Sequence, residues 1–411
     1  MIREFSEEQL ELRQTVRRFL AEYSAEADVR RTMATASGYD QKTWEAMATQ
    51  LGLHGLAIPE EYGGQGFGWV ELGIVLEETG RALLCGPFFS SVVLAASALL
   101  ESGDEAAKRR YLPGIADGSV IATVALPGGG GELDVAAELV DGRWRLTGRA
   151  ALVTDAHVAH LVIVPARTPA GLGLFAIETG RPADGAGLTS AMGANAPTGA
   201  AGRTDTVGRT DTVGATGAAG RAGSDQTGFR TTLRPTLDQT RRLADIDLDA
   251  VTAAAVGDPT GGEAILARVL DLAAVGLAVE QTGGAQAALD MAVEYLKVRV
   301  QFGQPIGAFQ ALKHMAADVL VEVETARSAA YYALSAAADR SDALPVAAPL
   351  AAAYCSDAFV TAAHQNIQVH GGMGFTWEIP AHLYFKRARS SQLLLGEPAF
   401  HRARVAERLG L

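Results

Sequence analysis

The stretch from Asp271 to about Lys386 constrains the fold most. It holds long, apolar, alanine-rich segments with helical spacing, broken at two polar or glycine-rich places. The periodicity predicts helices over roughly Pro259 to Arg299, Ala308 to Ala337, Pro345 to His370, and Ile379 to Leu409 with breaks. The first of these is long enough that a bend is expected, with Gly283-Gly284 as its place. Several long helices with no strand between them predict a four-helix bundle. The breaks, Arg299-Val300-Gln301-Phe302-Gly303-Gln304-Pro305-Ile306-Gly307 and Gln368-Val369-His370-Gly371-Gly372-Met373-Gly374-Phe375, are where a ligand would meet this rigid frame.

The preceding sequence divides by pattern. Ser6 ahead of Glu7, Glu8 and Gln9 predicts a helix start, with acidic residues against the helix dipole. Further helices are expected over Gln41 to Leu51, Trp69 to Ala82, Pro87 to Leu100 and Ala106 to Leu112. The Glu77-Glu78 pair reads as a helix surface rather than a catalytic pair. Near Gly118 the period changes to that of strands. Asp141-Gly142 between two extended runs is a hairpin signal. Strand-like runs continue at His160 to Val164 and Gly173 to Ile177, resume at Thr231 and end near Ala250. The expected domains are residues 1–117 (helical), 118–250 (β) and 251–411 (helical bundle). The middle one carries a Gly/Thr-rich insertion at about 187–228, which includes a direct tandem copy, Arg203 to Gly208 and Arg209 to Gly214. With so little to bury, this segment reads as a flexible surface insertion.

With 411 residues and 48% apolar composition the chain can build more than one core. A net charge of −12 argues against a nucleic-acid-binding surface, although a local basic patch could hold a phosphate-bearing cofactor. Cys85 and Cys355 form no disulfide framework, and His364, His370 and His401 lack ligand spacing, so no metal is expected. The acidic start does not resemble a targeting peptide, and no run reads as a membrane span; a cytoplasmic protein is the expectation.

The domain order, with Ile58-Pro59-Glu60-Glu61-Tyr62-Gly63-Gly64, the Arg299 and Gln368 runs, and Leu383-Tyr384-Phe385-Lys386-Arg387-Ala388-Arg389, resembles the acyl-CoA dehydrogenase family. The similarity is greatest to its actinobacterial branch of CoA-linked steroid side-chain enzymes, several of which are mixed tetramers. The resemblance implies a mostly α fold with a β-barrel-like middle domain, bound FAD, and α,β-dehydrogenation of an acyl-CoA thioester with electrons passed to an electron-transfer flavoprotein. It implies that Arg299 pairs with the FAD diphosphate and that Gln301 and Phe302 flank it. Gln368, Gly371, Gly372 and Gly374 would let the cofactor approach the backbone, and Thr154 survives from a flavin-side segment.

The sequence also departs from that pattern. Leu152 stands where a flavin-packing tryptophan is expected. The Pro127 to Asp134 stretch keeps a proline but not the family's Thr, Glu and Ser. The position of the usual catalytic carboxylate aligns with Leu395, and the other known position aligns near Ala273. The carboxylates left nearby are Glu397, Glu280 and Asp271, and partial burial is expected to raise the pKa of Glu280. Three readings follow: a subunit that shares its FAD site with a homologous partner supplying the base; a homomeric enzyme using Glu397 or Glu280; and a non-catalytic scaffold subunit.

Overall fold

A computed structural model of the chain describes residues 5–126, 134–181 and 227–411. The tandem copy and the glycines of the 128–131 loop lie outside the described residues. The first region holds α1 (Glu7–Tyr23), α2 (Glu26–Met33), α3 (Gln41–Thr49) and α4 (Trp69–Arg81). A π-helical stretch, Phe89–Ala95, then runs into α5 (Ala96–Glu101), and α6 (Glu105–Ala116) follows. Ser6 caps α1 as its sequence predicts: its hydroxyl accepts the Gln9 amide while the Gln9 side chain bonds the Ser6 amide. The short, charged α2 has no long apolar repeat, so periodicity did not reveal it.

The strands are β1 (Ala122–Val124), β2 (Asp134–Val140), β3 (Arg143–Thr154), β4 (Leu161–Thr168), β5 (Gly171–Glu178), β6 (Phe229–Arg234) and β7 (Leu243–Val256). The pairings β4–β2, β2–β3, β3–β7, β7–β5 and β5–β4 return to their start, so the sheet closes on itself, with β1 on β4 and β6 on β7. Closure removes exposed edges from the ring. Asp141 and Gly142, at φ 50° and 72°, make the tight β2–β3 turn. The last strand runs on to Val256, past its expected end near Ala250.

The bundle comprises α7 (Gly262–Val298), α8 (Gln310–Ala338), α9 (Leu344–His370), α10 (Ala381–Leu394) and α11 (Pro398–Leu409), with a two-stranded hairpin of β8 (Val300–Gln301) and β9 (Gln304–Pro305) between α7 and α8. By length and composition α9 could cross a membrane, but 67% of its most apolar stretch is buried in the bundle, as in a core helix. No break interrupts α7 at Gly283-Gly284; it is one continuous helix of 37 residues. Those glycines serve packing instead. A Cβ on Gly283 would lie 1.8 Å from the Glu77 carbonyl oxygen, and one on Gly80 would lie 1.9 Å from the Glu280 carbonyl oxygen. Here α4 and α7 touch backbone to backbone.

Glu77 and Glu78 are not a surface pair; they are 5% and 2% exposed. Glu77 accepts from Arg13, Arg327 and the Tyr331 hydroxyl, and Glu78 from Arg17. The pair ties α4 to α1 and α8, so its burial is compensated by charge and hydrogen bonds.

Candidate functional site

The residues singled out in the sequence fall into two groups at different levels of α7. The first group lies at its C-terminal end. Arg299 caps α7 through its amide, which donates to the Tyr295 carbonyl at 2.9 Å. The chain then turns back through Phe302-Gly303, at φ 53° and 79°, which is the geometry of a two-residue hairpin. The left-handed conformation costs about 1–2 kcal/mol for a residue with a Cβ. It places the Phe302 ring at 91% exposure. Gln301 and Arg299 are exposed beside it, and among the described residues no carboxylate pairs with Arg299.

The end of α9 packs against this corner. His370 lies with its ring centroid 4.1 Å from that of Tyr295, and Val369 packs with Leu296 and Ile306. Gln368, Gly371 and Gly372 are exposed. Gly371 has φ 59° and ψ −139°, a conformation open in practice only to glycine. A Cβ on Gly371 or Gly372 would meet nothing within 4 Å, so the backbone here is open to close approach. Gly374 is different: its missing Cβ would lie 2.5 Å from the Ile367 carbonyl oxygen, so packing within its own chain requires that glycine.

The second group lies where the β domain meets the bundle. A cavity of about 450 Å³ is lined by Leu152, Leu237, Leu243, Phe385, Arg389 and Leu394 among others. Leu152 has φ 55°, donates its amide to Asp245 at 3.0 Å and presents its side chain to the cavity. Thr154 ends β3; it is buried, and its carbonyl accepts the Thr123 hydroxyl at 2.7 Å. Glu397 caps α11 through its backbone, three residues past Leu394. Its side chain is exposed.

Glu280 is the centre of a buried charge cluster. It accepts both oxygens' worth of contacts from Arg241 at 2.6 Å and one from Arg387 at 2.7 Å. Arg387 also donates to Asp238 at 3.1 Å and to the Thr240 hydroxyl at 2.9 Å. Burial pushes the Glu280 carboxyl up, but Arg241 and Arg387 outweigh it and hold the pKa below its ordinary value. The expected upward shift is therefore reversed, because the sequence does not show the two guanidiniums. The space between Leu76, Phe88, Phe89, Arg241, Glu280 and Arg387 has only about 10 Å³ of room, enough for about one water molecule and not for a substrate. Arg241, Arg387 and Asp238 were missed in the sequence; Arg387 lay inside a recognised run, but nothing in the spacing pointed it at Glu280.

The two groups are far apart. Thr154 pairs with Leu243 on β7, directly after the Arg241 that binds Glu280 and the intervening Arg242. Glu280 and Arg299 are separated along α7 by about 28 Å at 1.5 Å per residue. No three or more His, Cys, Asp or Glu residues gather as metal ligands among the described residues.

Two family models match: "Acyl-CoA dehydrogenase, N-terminal domain" over residues 6–119 and "Acyl-CoA dehydrogenase, C-terminal domain" over residues 260–410. Acyl-CoA dehydrogenase IpdE2 of Mycolicibacterium smegmatis is 32% identical over 393 residues, covering 96% of each chain. Among solved structures, the Tcur3481-Tcur3483 steroid ACAD G363A variant aligns at TM-score 0.80 with 29% identity, over 98% of each chain. The ChsE4-ChsE5 complex from Mycobacterium tuberculosis aligns at TM-score 0.82 with 25% identity, over 99% of this chain and 98% of that one.

Proposed function

Because this chain belongs to the acyl-CoA dehydrogenase family, whose enzymes are FAD-dependent, we propose that it is one subunit of a mixed acyl-CoA dehydrogenase. In this reading it shares the cofactor site with a homologous partner, and the partner supplies the catalytic base. The observation that carries the reading is the separation of about 28 Å along α7 between the Arg299 hairpin and Glu280 at the junction with the β domain. In this reading the two groups lie too far apart to face one another within the chain, and a neighbouring subunit completes each of them.

The hairpin end fits a dinucleotide. Arg299 has no carboxylate partner among the described residues and offers its guanidinium to diphosphate oxygens. Gln301, Phe302 and Gln368 flank that position, and Gly371 and Gly372 leave the backbone open. When bound, FAD supplies a hydride acceptor for the β-hydrogen of an acyl-CoA thioester. At the junction, Thr154 and Leu152 would form the wall on the flavin side, with leucine in place of a large aromatic ring.

This chain's own equipment for removing the α-proton is poor. Leu395 carries no carboxylate. Glu280 is enclosed by two guanidiniums that hold it ionised, and a low pKa makes a weak general base. Glu397 is exposed three residues past Leu394 of the cavity wall and has no ion-pair partner among the described residues, which keeps a homomeric enzyme as the second reading. By similarity to the steroid ACAD structure, the substrate class in this reading is an acyl-CoA with a bulky polycyclic acyl group, and the family resemblance makes an electron-transfer flavoprotein the electron acceptor. The test is substitution within the complex. Arg299→Ala should strip flavin from the assembly, whereas Glu397→Gln should leave dehydrogenation within a few-fold; loss of turnover with flavin retained in Glu397→Gln would favour the homomeric reading. An assembly whose flavin content ignores Arg299 would leave the chain a scaffold.

A further inference from the structure

Asp155 directly follows β3 at φ 55°, is 6% exposed, and lies where three parts of the molecule meet. Its carboxyl has one hydrogen-bond partner among the described residues, the Ser90 hydroxyl of the π-helical stretch, at 2.7 Å. That hydroxyl is also 3.0 Å from the Pro87 carbonyl oxygen. A hydroxyl carries one hydrogen, and a carbonyl can only accept. Both contacts are full two-centre hydrogen bonds at once when Ser90 donates to Pro87 and the Asp155 carboxyl donates to Ser90.

The surrounding charges agree. From α7 comes Glu280, from α10 Arg387, and from the segment before β7 Asp238, Arg241 and Arg242. Cys85, a buried thiol pushed up to about 12 by burial, adds no charge. Arg242 turns its guanidinium away, to the carbonyls of Met33 and Thr35 at 2.7 Å. Arg241 and Arg387 are paired with Glu280 and Asp238, while Arg242 keeps its charge at a distance from the Asp155 carboxyl and bonds neutral carbonyls. No ion pair reaches Asp155 among the described residues, so an ionised Asp155 would be a buried carboxylate with no cation in hydrogen-bond contact.

We propose that Asp155 is a carboxylic acid carrying its proton near neutral pH, and that losing this proton loosens the junction between the π-helical stretch, the β domain and the bundle. Burial, the dominant influence, is opposed by Ser90, Arg241 and Arg387 and still raises the carboxyl to about 7. The sign follows by linkage. The unfolded chain ionises near 3.9, so the folded state holds the extra proton between about 4 and 7, and stability falls with rising pH across that window and levels off above it.

The test compares the full chain with Asp155→Asn by urea denaturation at pH 5 and pH 8. The variant cannot ionise but keeps a donor for Ser90. The parent should lose about a hundredfold in its folding constant relative to the variant between these pH values, as two pH units below the folded pKa require. A parent-to-variant ratio that does not change with pH would overturn the proposal. Carboxyl NMR of isotope-labelled aspartate in the parent reads the same proton without denaturation. Ser90→Ala, which should move the Asp155 resonance, assigns it even if Asp155→Asn does not fold. An Asp155 resonance already ionised at pH 5 would also overturn it.

Discussion

Replacing Glu280 by glutamine should destabilise the chain by about 3–5 kcal/mol, the cost of breaking a buried ion pair from one side. The magnitude follows from what is left behind. Arg241 loses two contacts at 2.6 Å and keeps a 3.3 Å approach to the Ser391 hydroxyl. Arg387 keeps Asp238 at 3.1 Å. Two guanidiniums, 6% and 3% exposed, would then share one carboxylate. Urea denaturation at pH 7 should show a lower midpoint with an unchanged slope. Glu280 has a folded pKa below 4.5, so its contribution is complete above that pH and is lost as pH falls through the folded value. The gap between parent and variant should therefore be constant from neutrality to about pH 5 and narrow only in stronger acid. A loss below about 1 kcal/mol, the level of an exposed pair, would refute the buried-cluster argument. A folded, flavin-loaded Glu280→Gln assembly slowed by about 10²–10⁴ would instead make Glu280 a base.

Other outcomes follow from the same geometry. Gly283→Ala places a Cβ 1.8 Å from the Glu77 carbonyl oxygen and should cost about 1–3 kcal/mol despite alanine's better helix propensity, read as a lower urea midpoint. Phe302→Gly should stabilise the chain by about 1 kcal/mol by removing left-handed strain, while lowering flavin retention in the assembly; thermal melts and bound-flavin assays read the two effects separately. Arg299→Ala should leave the melting temperature unchanged, since no ion pair among the described residues is lost, and weaken FAD binding by about 1.5–3 kcal/mol by titration. Deleting Arg203 to Gly214 should leave the melting temperature nearly unchanged, because that sequence has little to bury.

What the sequence revealed depended on the range of the interaction. The alanine-rich helices, the Ser6 cap and the Asp141-Gly142 turn are local, and the structure has each of them. The Gly283-Gly284 pair looks like a helix break when only its neighbours in sequence are considered. Its role is set by Glu77, more than two hundred positions earlier. Glu77 and Glu78 read as surface residues because their partners Arg13, Arg17 and Arg327 come from other helices. Glu280 meets Arg241 and Arg387 at separations of 39 and 107 positions, so its depressed pKa had no local signal. The Arg299 and Gln368 runs were visible as breaks in a helical pattern, and their meeting beside Tyr295 and Leu296 was not.

The shared-site account is tested most directly by the visible spectrum of the purified chain, alone and after coexpression with its genomic-neighbour acyl-CoA dehydrogenase homologue. The account predicts a colourless chain alone and a single flavin per pair with the partner. A yellow protein with one flavin per chain in the absence of any partner would contradict it.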